Sequence, residues 1–268
     1  MVKSYWRSKN ITKDLIKNDL DIYHGLSHEI PVDIEKTNIK SVVTIHDLIF
    51  MRYPHLFNSI DRRIYEKKCL SSCKRANKII AISQQTKKDI INFFSIDKEK
   101  ITVLYQGCND VFKKKINDNI KKNVLNKFNL PNKYLLYVGT IEERKNLLTL
   151  LKTLNKLKNN NLIIIGNGKR YKRKCIDYVN NNQLNNRVFF LENLEIEEIA
   201  SIYQSAEIMI YPSIFEGFGL PILEALFSKI PVITSKEGCF VEAGGNKTKY
   251  INPLNSLEIE NAIIEIQQ

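Results

Sequence analysis

EGFGLPILE, residues 216–224, places two glutamates, Glu216 and Glu224, around Gly217, Phe218, Gly219, Leu220 and Pro221. It follows an apolar run that ends in Tyr211-Pro212-Ser213. The order reads as strand, acidic loop, glycines, helix start. Proline suits a first helical turn, where its missing N–H has no intrahelical partner. Gly217 and Gly219 lack a Cβ, so their backbone can approach a ligand closely. Free N–H groups and the positive end of the helix dipole then face whatever lies above the turn, which suits a phosphate. Carboxylates repel phosphate but accept from hydroxyls. A phosphate flanked by sugar hydroxyls, as in a nucleotide-sugar, satisfies both demands.

Working outward, the second half alternates apolar runs with amphipathic segments. The runs are 134–139, 161–166, 187–191, 207–213, 231–235 and 249–252; the helical patterns are 145–159, 169–182, 195–205, 220–228 and 256–267. Continuous β-branched runs separated by helices predict a parallel sheet covered on both faces. The first half repeats this grammar with strands at 21–25, 41–47, 78–83 and 101–107 and helices at 59–75 and 84–94. A polar, basic stretch at about 110–130 reads as the connection between two domains plus a short helix. The expected fold is α/β, two Rossmann-like doubly wound domains, over 1–115 and 116–268.

The chain has 268 residues and a net charge of +12. Such a charge admits nucleic acid, an anionic membrane surface or an anionic substrate as partner. Basic residues are spread over many segments, and no aromatic-interleaved motif supports specific nucleic-acid binding. A peripheral contact with anionic lipid fits better. No run of 18 apolar residues occurs, and MVKSYWRSKN lacks a secretory apolar stretch, so the cytoplasm is the expected location. Five scattered cysteines, Cys69, Cys73, Cys108, Cys175 and Cys239, complete no metal pattern and read as reduced structural thiols. No metal and no cofactor are expected. The absence of G-x-G-x-x-G after a first strand disfavours a dinucleotide.

Ligands of open α/β sheets sit at the carboxyl ends of strands. Gly139 and Thr140 follow the first strand of the second domain, and Arg144 and Lys145 stand at the expected start of the next helix. Cations gain nothing from the dipole there. Either they form a solvated turn or they meet a diphosphate.

The segments LLYVGTIEERKNLLTLLKTL, NLIIIGNG, NLEIEEIASIYQSAEIMIYPSIFEGFGLPILEAL and PVITS resemble the C-terminal domain of the group 1 (family four) retaining glycosyltransferases. YHGLSHEIP, VVTIHDL, ANKIIAISQQTKKDI and VLYQGCNDVF extend the resemblance over essentially the whole chain, closest to bacterial mannosyl- or rhamnosyl-type transferases of surface-polysaccharide assembly. The resemblance implies the GT-B arrangement, two Rossmann-like domains facing across a cleft, with a GDP- or UDP-linked sugar as donor and a glycan or lipid-linked acceptor. It implies that Glu216 binds donor-sugar hydroxyls and Glu224 the ribose, and that Arg144 and Lys145 neutralise the diphosphate. The backbone at Gly217, Phe218 and Gly219 would touch phosphates or sugar, with Gly139 and Leu220 nearby. Asn193 and Leu194 match the nucleobase contacts, and His46 the active-site histidine of the first domain.

Bland readings stand beside these. Glu224 suits a first helical turn electrostatically, Phe218 and Leu220 both read as core anchors with Leu220 the better candidate, His46 reads as a satisfied strand-end histidine, and Asp47 either orients His46 or caps the next turn. His24 and His28 carry no assignment. Against the family pattern, no strand and Gly-rich loop precede residues 21–25, and the chain stops in a helix at 256–267. The sequence therefore reads as truncated at both ends, with an incomplete first domain. The alternative to a transferase is a non-catalytic remnant that binds a nucleotide-sugar.

Overall fold

The computed structural model describes Trp6 and residues 10–268. The chain divides into two compact units, 1–106 and 107–268. Each is α/β.

The first unit holds α1 (Ile11–Lys17), β1 (Ile22–Gly25), β2 (Lys40–Ile45), α2 (Ile49–Arg52), α3 (Ser59–Arg75), β3 (Lys78–Ala81), α4 (Gln84–Phe94) and β4 (Ile101–Val103). Its four strands are all parallel, in the order β1-β2-β3-β4. Val43, Ile45, Ile79, Ile90 and Cys73 form a core with essentially no exposed surface. Asn58 caps α3 by accepting from the Ile60 N–H, and Ser83 caps α4 by accepting from Thr86, as side-chain oxygens do at orphan first-turn donors.

The second unit contains α5 (Asp118–Lys127), β5 (Leu135–Val138), α6 (Leu147–Lys156), β6 (Leu162–Ile165), α7 (Arg170–Asn181), β7 (Val188–Leu191), α8 (Ile196–Ser205), β8 (Ile208–Tyr211), α9 (Leu220–Phe227), β9 (Val232–Ser235), α10 (Phe240–Gly244), β10 (Thr248–Ile251) and α11 (Ser256–Gln267). Its parallel sheet runs β10-β9-β8-β5-β6-β7. From β5 the chain first winds outward through β6 and β7, then returns to the other side of β5 at β8 and continues to β10. The switch point lies between β5 and β8. A crevice outside the strand carboxyl ends belongs at that reversal. Among the described residues only this sheet reverses.

Every expected strand and helix is present, and most strands end a residue or more before the expected limits. Three details differ. The seam falls at 106/107 rather than 115/116, because residues after Gln106 pack on the second unit, where the Phe112 ring meets Tyr203 edge-on at 5.3 Å. The short helices α1, α2 and α10 were not foreseen, being too brief to show a period. And α6 begins at Leu147, because Asn146 adopts a left-handed conformation (φ 57°) after a 3-10 turn at Glu143–Lys145. Arg144 and Lys145 thus occupy a turn ahead of the helix, not its first turn.

Candidate active site

The carboxyl ends of β5 and β8 bring Gly139, Arg144 and Lys145 together with Glu216. Glu216 follows β8 in the loop 212–219, and the sequence kept its acid from the core by giving it four polar partners. Arg144 Nη1 lies 2.8 Å from Glu216 Oε2, and Lys145 Nζ lies 3.5 Å from Oε1. The Tyr211 and Ser213 hydroxyls donate to Oε1 at 2.8 and 2.9 Å. Lys145 in turn donates to the Tyr211 hydroxyl at 3.2 Å. Only 12% of the Glu216 side chain is exposed. Burial by itself would raise this carboxyl, but Lys145 and then Arg144 outweigh it and hold it below the usual carboxylate range. The group stands ready as an anion.

Buried oxygens brace this loop. Thr234 donates to the Tyr211 carbonyl at 2.8 Å, Ser235 donates to the Ser213 carbonyl, and the Cys239 thiol lies 3.1 Å from the Glu216 carbonyl. Gly219 takes φ +113° directly before α9, a conformation that L side chains rarely adopt. Phe218 is the buried anchor of the motif, at 3% exposure, whereas Leu220 is half-buried. The expectation for Leu220 as core anchor is corrected accordingly: the left-handed Gly219 turns the chain and sets Phe218 inward.

Glycine is also required across β5 and β6. A Cβ on Gly166 would lie 2.0 Å from the Gly139 carbonyl oxygen, so the two strand ends touch backbone to backbone. Gly139 itself has φ +142°, and a Cβ there would stand 3.0 Å from the Lys145 ammonium. The Lys145 amine therefore lies over the bare end of β5. An open cavity of about 470 Å³ lies between the loops after β5 and β6, walled by Thr140, Ile141, Glu142, Asn167, Lys169 and Tyr171.

Glu224 stands on α9, half-buried, and accepts from the hydroxyl of Tyr203 at 2.8 Å. Burial pushes its carboxyl up, opposed by that hydrogen bond. Asn193 and Leu194 follow β7; Asn193 is exposed with φ 55°, and the preceding Glu192 is ion-paired with Lys172. Gly217 is buried in the loop that carries Glu216.

His46 belongs to the first unit, at the end of β2. Its Nε2 lies 2.8 Å from the Leu26 carbonyl, which accepts and so requires a proton on that nitrogen. Nδ1 lies 3.4 Å from the Gln106 amide nitrogen. The His28 ring sits 5.6 Å away, and burial lowers its pKa first, with His46 adding to the effect. Asp47 accepts from the Ile49 N–H at 3.0 Å, so it caps α2. Tyr203 and Gln106 were not named from sequence, Tyr211 and Ser213 only as the end of the apolar run, and His28 without a role; a lone tyrosine in an apolar run reads as core until its partner is seen.

The family described as "Glycosyl transferases group 1" matches residues 118–266, and that described as "Glycosyltransferase Family 4" matches residues 2–111. The chain belongs to the group 1 glycosyltransferases. Over its full length it is 30% identical to the O-antigen chain mannosyltransferase RfbU of Salmonella typhimurium, spanning 70% of that protein. It is 28% identical to the O-antigen chain mannosyltransferase B of Escherichia coli, over 87% of this chain and 61% of the relative. A solved structure of Anabaena HepE in complex with UDP and glucose superposes with a TM-score of 0.78 at 18% identity, covering 97% of this chain and 72% of that one. This likeness shows the fold, the GT-B glycosyltransferase fold with two parallel α/β sheets.

Proposed function

We propose that this glycosyltransferase moves a hexose, mannose or a close relative, from a GDP- or UDP-linked donor to a glycan or lipid-linked acceptor in surface-polysaccharide synthesis. The observation that carries the reading is the Glu216–Lys145 pair across the switch point, an anion for sugar hydroxyls beside a cation for phosphate. The O-antigen relatives and the UDP complex of HepE support the substrate class.

In this reading the bond from the sugar's anomeric carbon to the diphosphate oxygen breaks while one to the acceptor oxygen forms on the same face, giving retention. The acceptor proton passes to the departing phosphate oxygen. Lys145 balances the charge that grows on the diphosphate, the part a preorganised cation plays best in a water-poor site. Glu216 holds sugar hydroxyls, Glu224 accepts from the ribose, and the backbone of Gly217, Phe218 and Gly219 faces the phosphates. Asn193 and Leu194 flank the base. His46 acts on the transferred sugar. No metal or cofactor is assigned, so chelator-treated enzyme should keep its rate.

The net charge of +12 suits peripheral attachment to an anionic membrane. Among the described residues no helix is long and apolar enough to cross one. Co-sedimentation with anionic against neutral vesicles checks the attachment.

The test of function is turnover with a panel of GDP- and UDP-hexoses and a lipid-linked acceptor, with the anomeric configuration of the product read by NMR. Inversion sinks the retaining step. Binding without turnover on any acceptor favours the non-catalytic alternative.

A further inference from the structure

Arg144 was expected to share the diphosphate with Lys145, yet its guanidinium is committed elsewhere. Nη1 meets Glu216 Oε2 at 2.8 Å and also donates to the Phe215 carbonyl, while Nη2 donates to Glu142. The Arg144 carbonyl accepts from the Ile214 N–H at 2.8 Å and from the Ser213 hydroxyl at 3.3 Å. Main chain and side chain together therefore tie Arg144 to residues 213–216.

Charge points the same way. One guanidinium between two carboxylates has no net positive charge left for a diphosphate. Its planar fork suits carboxylates, and this one is 11% exposed. The Lys145 ammonium is a compact charge, held by longer contacts of 3.2 and 3.5 Å, and it lies over Gly139 at the end of β5. The Lys145 side chain is little more exposed, at 13%, but its ammonium ends a flexible stem with three rotatable donors that can turn to a new anion.

We infer that Arg144 is a positioning residue that locks the Glu216 carboxylate and its loop, leaving Lys145 to meet the diphosphate. The second half rests on the donor-site reading above, so the experiment has an arm that needs no nucleotide.

That arm is a double-mutant cycle on thermal unfolding of the full chain, with Arg144→Ala, Glu216→Gln and both together. The lock requires strongly non-additive losses, with the double variant losing clearly less stability than the sum of the two single variants. Additive losses overturn it. If Arg144→Ala does not fold, Arg144→Lys carries the cycle.

The second arm is calorimetry with GDP and UDP beside a transfer assay. Lys145→Ala should weaken nucleoside diphosphate by about tenfold or more, whereas Arg144→Lys and Arg144→Ala stay within about threefold of wild type. In the arginine variants kcat should fall more than KM rises. In Arg144→Ala the acid limb of kcat/KM should also move to higher pH, because Glu216 has lost a cation that favours its anion. Equal losses of diphosphate affinity in arginine and lysine variants overturn the division of labour. A wild-type chain that binds neither GDP nor UDP removes the donor-site reading and the Lys145 half with it, and the unfolding cycle alone then decides the lock.

Discussion

The Tyr203 hydroxyl stands 2.8 Å from Glu224 Oε2, and Tyr203 itself has no exposed surface. A buried donor thus fixes the carboxylate that the ribose is proposed to meet. Burial drives the Glu224 carboxyl upward, and the tyrosine favours its charged form. Tyr203→Phe should therefore weaken nucleotide binding by roughly 0.5–1.5 kcal/mol, the usual worth of one hydrogen bond. The loss should grow as pH falls, because a Glu224 without its donor protonates at higher pH. Calorimetry with GDP and UDP across pH checks this; a pH-independent loss contradicts it.

Glu216→Gln should cut transfer by roughly one to two orders of magnitude, from losing a charged hydrogen bond worth about 1.5–3 kcal/mol. It should also lower stability, since Lys145 then loses its carboxylate while little exposed, and Arg144 keeps only Glu142. The folded carboxyl lies below its ordinary value, so its contribution is complete above the ordinary glutamate range. That contribution is lost as pH falls through the folded value. Acid unfolding curves of wild type and Glu216→Gln should converge at low pH; a constant gap refutes the linkage.

His46→Ala should reduce turnover far more than nucleotide affinity. His46 belongs to the first unit, while the proposed nucleotide contacts all belong to the second. A variant with wild-type kcat, or one that loses affinity alone, rules this out.

Gly166→Ala should destabilise the second unit by about 2 kcal/mol or more, since its Cβ would meet the Gly139 carbonyl at 2.0 Å and φ is +154°. Gly107→Ala is the control, with no atom within 4 Å of its Cβ. Equal melting temperatures for the two would show that the strand ends can part.

The α/β alternation was legible because buried parallel strands are continuous apolar runs, as in Leu162–Ile165. Glu216 stood out as a candidate because it precedes two glycines at a helix start, and Glu224 because it follows them on that helix. The Tyr211 and Tyr203 hydroxyls were not, because each partner is defined only once β8 and α9 are placed. The closure of Arg144 on Glu216 was hidden for a related reason. The glutamate lies 72 positions on (216 − 144 = 72), and no local pattern shows a pair closed across a switch point. The glycines of NLIIIGNG carried no assignment from sequence; Gly166 and Gly168 serve backbone contacts with Gly139 and Ile141.

The docking of Phe112 on Tyr203 decides where this chain can be recombined with another. Residues after Gln106 belong physically to the second unit, and Tyr203 joins them to Glu224. Lys113 also lies over the Phe227 ring at 5.3 Å. A chimera spliced at 115/116 would import a foreign segment beneath the residue that steadies Glu224. One spliced at 106/107 would exchange first units while each second unit kept the stretch of chain that packs on it.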